Sequence, residues 1–282
     1  MTLYLEPSLR RVLGADAFDT LMNLSGESYR RGPGRQTLRV QIGGQAYFLK
    51  RHHGVGWREI FKNLLQLRLP VLGAATEARA IARLERLNVP TMHCAGWGER
   101  GRNPARRQSF VLTRALDDTV SLEDFCAGWG QRRHWTAGQL VLKRQLLQQL
   151  ADTARCLHAH GVNHRDFYLC HFLLRRDSPG LTQPGGRLDL HLIDLHRVQQ
   201  RRHTPRRWQV KDLAGLYFSA LDAGLTRRDC FRFMRRYGAT PLREQLRRPL
   251  WRLFRRRLFL WFRLRRLRPR LLLLQAHSVR LK

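Results

Sequence analysis

The sequence predicts an α+β fold in two lobes, a small β-rich first lobe over residues 1–115 and a larger helical second lobe over residues 116–282. Three observations predict it. An apolar-polar alternation over residues 36–50, broken once by Gly43-Gly44, reads as a β-hairpin. Apolar positions at helical spacing over Leu140 to His160 read as a long helix. The strand patterns precede most of the helical ones instead of alternating with them, which argues for segregated layers. At 282 residues and 43% hydrophobic content, the chain suffices for one two-lobed domain or two small ones. Leu, Val, Ile and aromatic residues recur throughout, which excludes a disordered polyelectrolyte.

Taken in order, residues 1–30 are mixed, with a short apolar-polar pattern near Phe18 to Leu24. Arg31-Gly-Pro-Gly-Arg35 is a basic, glycine-containing loop between two strands. Gln36-Thr-Leu-Arg-Val-Gln-Ile42 alternates, Gly43-Gly44 turns, and Gln45-Ala-Tyr-Phe-Leu-Lys50 runs back. Helices are predicted over about Trp57 to Leu67 and Ala74 to Leu87. In the second, Ala74, Glu77, Ile81, Leu84 and Asn88 share a face, so Glu77 is a carboxylate among apolar groups and asks for a buried cationic partner. Ser109-Phe-Val-Leu-Thr113 reads as a strand, and the Pro/Gly-rich residues 175–187 as a loop at a hairpin tip.

The formal charge is +32, from 53 Lys and Arg against 21 Asp and Glu. Such a field favours anionic partners: nucleic acid, an anionic membrane surface, a phosphorylated glycolipid or an acidic protein. Five cysteines without a Cys-x-x-Cys argue against a disulfide scaffold or a zinc knuckle and fit a reducing cytosol. The opening MTLYLEPSLRR lacks the basic-then-apolar order of a signal peptide, and no uncharged apolar run approaches a membrane-spanning length. The protein is therefore expected to remain where it is made.

The residues that carry chemistry lie in Asn163-His-Arg-Asp-Phe-Tyr-Leu-Cys-His171, a loop between a helix and the apolar strand Phe172-Leu-Leu174. Leu190-His-Leu-Ile-Asp194 follows, a second apolar strand ending in an aspartate. One Asp after His-Arg in a loop and another at a strand end is the layout of a kinase catalytic loop and its metal-binding aspartate. Phosphoryl transfer needs both. One carboxylate accepts or orients the attacking hydroxyl, and the other holds magnesium against the triphosphate, whose negative charge must be offset. Upstream, Lys50 ends a strand and Glu77 lies on the following helix, in the order of a phosphate-binding lysine and its carboxylate brace. Each residue alone has an ordinary explanation: a loop salt bridge, a strand-end charge, an exposed helix residue. The four together, in this order, do not.

Here the residues resemble a family. The catalytic-loop segment Asn163 to Leu174 is similar to the lipopolysaccharide core heptose kinase family, often called WaaP or RfaP. So are Gly54-Val-Gly-Trp-Arg-Glu-Ile-Phe-Lys-Asn-Leu-Leu65, Leu69-Pro-Val-Leu-Gly73, Val89-Pro-Thr-Met92, Ile193-Asp-Leu-His-Arg197 and Lys211-Asp-Leu-Ala-Gly-Leu-Tyr-Phe-Ser219. The resemblance covers roughly residues 25–235. It implies a protein-kinase-like fold and phosphorylation of an inner-core heptose that depends on ATP and Mg2+, at the cytoplasmic face of the inner membrane. By it, Asp166 is the catalytic base, Asp194 the principal metal ligand, Lys50 the phosphate-binding lysine, Glu77 its partner, and Asp212 the aspartate that braces the catalytic loop.

The chain departs from general protein kinases in three places. His171 stands five positions after Asp166, where they carry Asn. It is a candidate metal or phosphate contact beside Asp194, although magnesium prefers oxygen ligands and a structural role is equally open. Gly32 and Gly34 are the candidate ATP-binding glycines of an incomplete Gly-rich loop, whose arginines supply part of the phosphate contact. Asp194 is followed by Leu-His instead of Phe-Gly, and neither an activation loop nor an Ala-Pro-Glu follows, which disfavours a regulated protein kinase.

Other features read more simply. His52-His53 is expected at a solvated strand end, Trp57 and Phe61 in the core, and Cys156 and Cys170 as buried small hydrophobes. Residues 243–282 hold 13 Arg and one Lys against one Glu, interleaved with Trp251, Phe254, Phe259, Trp261 and Phe262. This segment is open to three readings: a solvated or lobe-packing helix, an interfacial segment on anionic lipid, or a grip on an acidic partner such as nucleic acid or a carrier protein. The partners expected are thus the inner-core glycolipid, an anionic membrane surface and an acidic carrier protein, with no nucleic acid. Two rivals remain: a small-molecule phosphotransferase of the same fold, which would not need the basic tail, and a nucleic-acid-binding protein with a degenerate kinase fold, which would leave the four site residues without a joint purpose.

Overall fold

Two glycines at φ +57° and +78° allow Gly43-Gly44 to close a two-residue hairpin, a turn whose twist suits antiparallel strands. In the computed structural model, which describes residues 1–32, 34–54, 56–57, 61, 73–183 and 185–238, this hairpin is the middle of a larger sheet. Its strands are β1 (Thr2–Leu5), β2 (Glu27–Gly32), β3 (Arg35–Ile42), β4 (Gln45–His52), β5 (Cys94–Arg100) and β6 (Gln108–Arg114). They lie in the order β1-β5-β6-β4-β3-β2, every pair antiparallel. Alternation along β3 turns Leu38, Val40 and Ile42 to one face, where with Tyr47, Leu49, Phe110 and Leu112 they meet α1 (Pro7–Leu13) and α2 (Ala17–Asn23) through Leu9, Phe18 and Leu21. Each such fully buried side chain contributes roughly 1.5–3 kcal/mol. The buried Arg51 donates to the carbonyls of Met22 (2.6 Å) and Leu24 (3.0 Å), placing a cation on the C-terminal end of α2.

The opposite face of β4 carries Lys50, mid-sheet between Thr37 and Val111, and α3 (Ala75–Arg86) covers that face. Ala78 and the preceding Ala74 pack on Val111, while Ile81 and Leu84 join a second core made by the later helices. The helix thus belongs to both cores. It ends at Arg86, one residue before the predicted limit, and Asn88 lies beyond it in the left-handed region (φ +54°) instead of on the helix face.

The rest of the described chain is mainly helical. It contains β7 (Thr119–Ser121), α4 (Leu122–Phe125), α5 (Ala137–Ala159), β8 (Val162–Asn163), β9 (Phe172–Arg175), α6 (Pro179–Thr182), β10 (Leu190–Leu192), β11 (Gln199–Gln200), α7 (Arg206–Ser219) and α8 (Arg227–Tyr237). α5 starts on a capping box between Thr136 and Gln139, which satisfies two of the helix's orphan donors. Its apolar stripe, Leu146, Leu150 and Leu157, packs with Phe167, Phe172, Leu192 and Leu216. β9 and β10 pair with Leu174 opposite Leu190, so residues 175–187 bridge a hairpin as expected. The segment before β5 reaches across: Thr91 Oγ1 donates to Leu192 O at 2.6 Å, and Leu192 N donates to Pro90 O at 2.9 Å.

The chain is α+β. Three smaller expectations change. Trp57 and Phe61 are 50% and 58% exposed and touch each other, ring centroids 5.9 Å apart, so they are not core. His52 is buried because Arg35 of β3 pairs beside it and Ser109 of β6 lies on its other side. Cys156 and Cys170 are half-buried. Most of the helix predicted over Trp57 to Leu67 and all of residues 243–282 lie outside the described residues. No helix among the described residues is long and apolar enough to cross a membrane.

Candidate active site

Lys50 is the hub of one half of the site. Its Nζ donates to Glu77 Oε1 at 2.7 Å and to Asp194 Oδ1 at 3.2 Å. Glu77 is 2% exposed, so its charge depends on this partner; removing one member of a buried pair costs about 3–5 kcal/mol. Burial alone would lower the Lys50 ammonium pKa, but the charges of Glu77 and Asp194 outweigh it and raise it. Asp194 follows β10 and adopts the left-handed region at φ +61°, ψ +55°, a conformation that costs a non-glycine residue roughly 1–3 kcal/mol and recurs at functional sites. That turn brings His196 back so that its Nδ1 donates to Asp194 Oδ1 at 2.7 Å. Burial pushes the Asp194 carboxyl up, but the His196 hydrogen bond and the charges of Lys50, His196 and His171 hold it well below the usual carboxylate range.

The other half is the loop after β8. Asp212, on α7 and 1% exposed, accepts from the backbone N–H of His164 (2.7 Å) and of Arg165 (2.8 Å). It thereby fixes Arg165 in the left-handed region at φ +74° and sets the direction of the next residue, Asp166. Arg197 Nη1 donates to both Asp166 carboxylate oxygens, at 2.8 and 2.9 Å. The His164 ring, buried and with its pKa lowered by that burial, donates from Nε2 to the carbonyl of Ile193 (3.0 Å), tying this loop to the strand end before Asp194. His171 Nδ1 donates to the carbonyl of Asp166 at 2.7 Å, and its Nε2 faces Asp194 Oδ2 at 3.6 Å.

Residues 19–237 match the family model described as "Lipopolysaccharide kinase (Kdo/WaaP) family". The chain belongs to that family. The matched span contains Lys50, Glu77, Asp166, Asp194 and Asp212. The chain is 49% identical over 248 residues to the lipopolysaccharide core heptose(I) kinase WaaP of Pseudomonas aeruginosa, covering 88% of this chain and 90% of that one. It is 46% identical over 241 residues to the kinase of the same name from Escherichia coli K12, covering 86% and 88%. A solved structure of WaaP in complex with acyl carrier protein superposes with a TM-score of 0.77 at 42% identity, over 91% of this chain and 98% of that one.

A kinase family implies ATP as the phosphate donor. For a metal the donor set gives a test. Among the described residues, no group of three or more His, Cys, Asp and Glu side chains forms a ready-made cage. Magnesium does not need one, since it is bound through one or two carboxylates with phosphate oxygens and water completing its shell. Asp194 Oδ1 is engaged by Lys50 and His196, while Oδ2 faces His171 Nε2. Because a carbonyl only accepts, His171 Nδ1 carries a proton. A neutral ring would then point the Nε2 lone pair at a carboxylate oxygen, an arrangement that calls for a cation or a proton between them. The residues present fit the ion.

Gly32 and Gly34 lie at the turn between β2 and β3, with Pro33 outside the described residues. Open space stands where a Gly32 side chain would be, and Gly34 has φ +66°. The carbonyl of Gly34 accepts from His53 N at 2.9 Å, which ties the turn to the residue just past the end of β4, three positions after Lys50. The sequence did not single out the roles of His196 and Arg197, although both stand in the quoted segment Ile193 to Arg197. The signal available was their place immediately after an aspartate in a tight turn.

Proposed function

We propose that this chain is an ATP- and Mg2+-dependent kinase that phosphorylates a heptose hydroxyl of the lipopolysaccharide inner core, on a two-lobed kinase-like fold with residues 1–115 as the first lobe and 116–282 as the second. One observation carries the reading: Lys50 joins Glu77 to Asp194, while Asp166, whose loop is tied by His164 and His171 to the Asp194 turn, has its carboxylate oriented by Arg197. The names of the relatives, lipopolysaccharide core heptose(I) kinases at 46–49% identity, support the acceptor.

Magnesium, when bound, offsets charge on the donor phosphates and on the transferring phosphoryl group. Asp194 is the residue that would hold it through Oδ2, with His171 beside it. Lys50, kept charged and placed by Glu77, binds a donor phosphate as a point charge. The turn at Gly32 and Gly34 lets backbone approach the phosphates without a side chain in the way. Asp166 accepts a hydrogen bond from the acceptor hydroxyl through lone pairs that Arg197 leaves available. As that oxygen attacks the terminal phosphorus and the bond to the leaving diphosphate breaks, the hydroxyl proton passes to Asp166. The test is transfer of labelled phosphate from ATP to core-dephosphorylated lipopolysaccharide, with and without magnesium. Absence of label on the heptose would overturn the assignment.

The location proposed is the cytoplasmic face of the inner membrane, held peripherally. The basic, aromatic segment 243–282 supplies the attraction, at roughly 1 kcal/mol per Lys or Arg close to an anionic leaflet. The same charge suits an acidic carrier protein, a reading supported by the related WaaP solved in complex with acyl carrier protein. Reversing several arginines of the segment is expected to reduce sedimentation with anionic vesicles. Unchanged sedimentation of a folded variant would remove the membrane role.

A further inference from the structure

We propose that Arg165, Arg201, Arg207 and Lys211, gathered around Trp208, form a subsite for an anionic group, a carboxylate or a phosphate, carried by the acceptor glycan next to the hydroxyl that reacts. The proposal rests on the reading of Asp166 as the residue that meets that hydroxyl.

Four cations surround one indole. The guanidinium carbons of Arg165, Arg201 and Arg207 lie 5.3, 5.8 and 5.4 Å from the Trp208 ring centroid, and Lys211 Nζ lies at 5.2 Å. They come from separate stretches of chain: the loop after β8, the end of β11, and the first turns of α7. A solvated helix face spreads its charges outward; here backbone turns bring charges from three segments onto one ring. The negative face of the ring attracts each of them, but it does not cancel their mutual repulsion.

The two carboxylates that act on Lys211, those of Asp166 and Asp212, are already committed. Asp212 has both oxygens on the backbone N–H groups of His164 and Arg165, and Asp166 has both on Arg197. Arg201 bonds the neutral amide oxygens of Asn163 (2.6 Å) and Gln199 (2.6 Å), which orient it without balancing its charge. Among the described residues, neither Arg207 nor Lys211 makes a salt bridge. The crowding is felt at Lys211, whose pKa is lowered by burial and by the charges of Arg165 and Arg197, against the opposing pull of Asp166 and Asp212. The surplus therefore lies at Arg201, Arg207 and Lys211, with Lys211 in electrostatic reach of Asp166, and apart from the Lys50 side, which has its own carboxylates.

A group with two or three negatively charged oxygens answers this arrangement. Guanidinium forks match carboxylate and phosphate geometry, and Lys211, which feels the charge of Asp166, adds an ammonium. Bound there, the anion would place the sugar that carries it, and hence the neighbouring acceptor hydroxyl, against Asp166. The recognition is for an acidic substituent on the glycan, separate from the donor phosphates.

The experiment uses the full chain and three acceptors: core-dephosphorylated lipopolysaccharide, the same with its sugar carboxyls reduced to alcohols, and the same with its remaining phosphates removed. The readout is the ratio of kcat/KM values among them. The wild-type chain is expected to prefer the first over one of the other two by about tenfold or more, the scale of a lost charge-assisted hydrogen bond, and the acceptor that suffers identifies the anion as carboxylate or phosphate. Arg207→Gln and Lys211→Gln are each expected to shrink that preference severalfold, and Lys211→Arg to retain most of it. Equal use of all three acceptors by the wild type, or an undiminished preference in folded Arg207→Gln and Lys211→Gln, overturns the subsite. A wild-type chain that transfers phosphate to none of the three overturns the functional reading together with it, a result seen before any variant is made.

Discussion

Around Asp194 opposite charges meet at close range, whereas around Asp166 positive charge is left over. On the first side Lys50 shares two carboxylates, one of them almost fully buried, and His196 and His171 add further partners to Asp194. On the second, a single arginine occupies the aspartate and four more cations stand around Trp208. The difference teaches what each side is built to receive. The Lys50 side is organised before anything binds, as electrostatic preorganisation requires. The Asp166 side carries charge whose complement must arrive with a ligand. The left-handed turns at Arg165 and Asp194 fix both aspartates on short loops, held by Asp212 on one side and by the His164–Ile193 hydrogen bond on the other.

Removing Asp166 is the severest way to break this contrast. Asp166→Ala is expected to lower turnover by about 100- to 10,000-fold, the usual cost of losing a general base, with the circular-dichroism spectrum unchanged. A folded variant retaining more than a tenth of the activity would show that the proton goes elsewhere. Asp194→Asn keeps shape but removes the charge, and should lose about 100-fold together with the response to magnesium. The wild-type magnesium dependence persisting in this variant would move the metal off Asp194. The Lys50 and Glu77 replacements test whether the first side is one unit. Lys50→Ala and Glu77→Ala should be non-additive in the double variant by roughly 0.5–3 kcal/mol, because either change alone leaves a charge without its partner. Additive losses in melting and activity would mean that the two act separately.

Much of this was legible in the sequence where the signal is local. The hairpin over residues 36–50 needs only alternation and two turn glycines, and α3 announces itself by its apolar face with Glu77 set into it. β5 was not legible. Its sequence Cys-Ala-Gly-Trp-Gly-Glu-Arg has few residues suited to a strand, and its glycines are demanded by neighbours. A side chain at Gly98 would begin 2.8 Å from the ring of Phe110 and 3.0 Å from that of Phe18, and one at Gly96 would run into the side chain of Leu5. Only the folded packing reveals that. β1, four residues long at the sheet's edge, is held by pairing with β5 and has no pattern of its own. Within the site, Lys50, Glu77, Asp166 and Asp194 could be picked out because chain order and local structure constrain them together. The Arg197 grip and the cluster on Trp208 bring together residues from separate segments whose individual contexts look like ordinary basic surface.

His52 offers the smallest and most specific test of how tightly the Lys50 side is organised. It shares a face of β4 with Lys50, is 7% exposed, and its Nδ1 is buried without a hydrogen-bond partner among the described residues. Burial, then the charges of Arg35, His196, Lys50 and His53, push its pKa down to about 4 from the ordinary 6.5. The folded state therefore holds the ring neutral where an unfolded chain would protonate it. The stability that depends on the neutral ring is full above pH 6.5 and is lost as pH falls from 6.5 towards 4, by about 2 kcal/mol at pH 5. The carboxylate of Asp194, with its pKa depressed, contributes an acid loss only below that window. Thermal melts of the wild type and His52→Gln between pH 7 and pH 5 separate the two, since the variant should lose less over this interval. Parallel melting curves would show that His52 becomes charged in place, and that the Lys50 side tolerates another cation as the Trp208 side does.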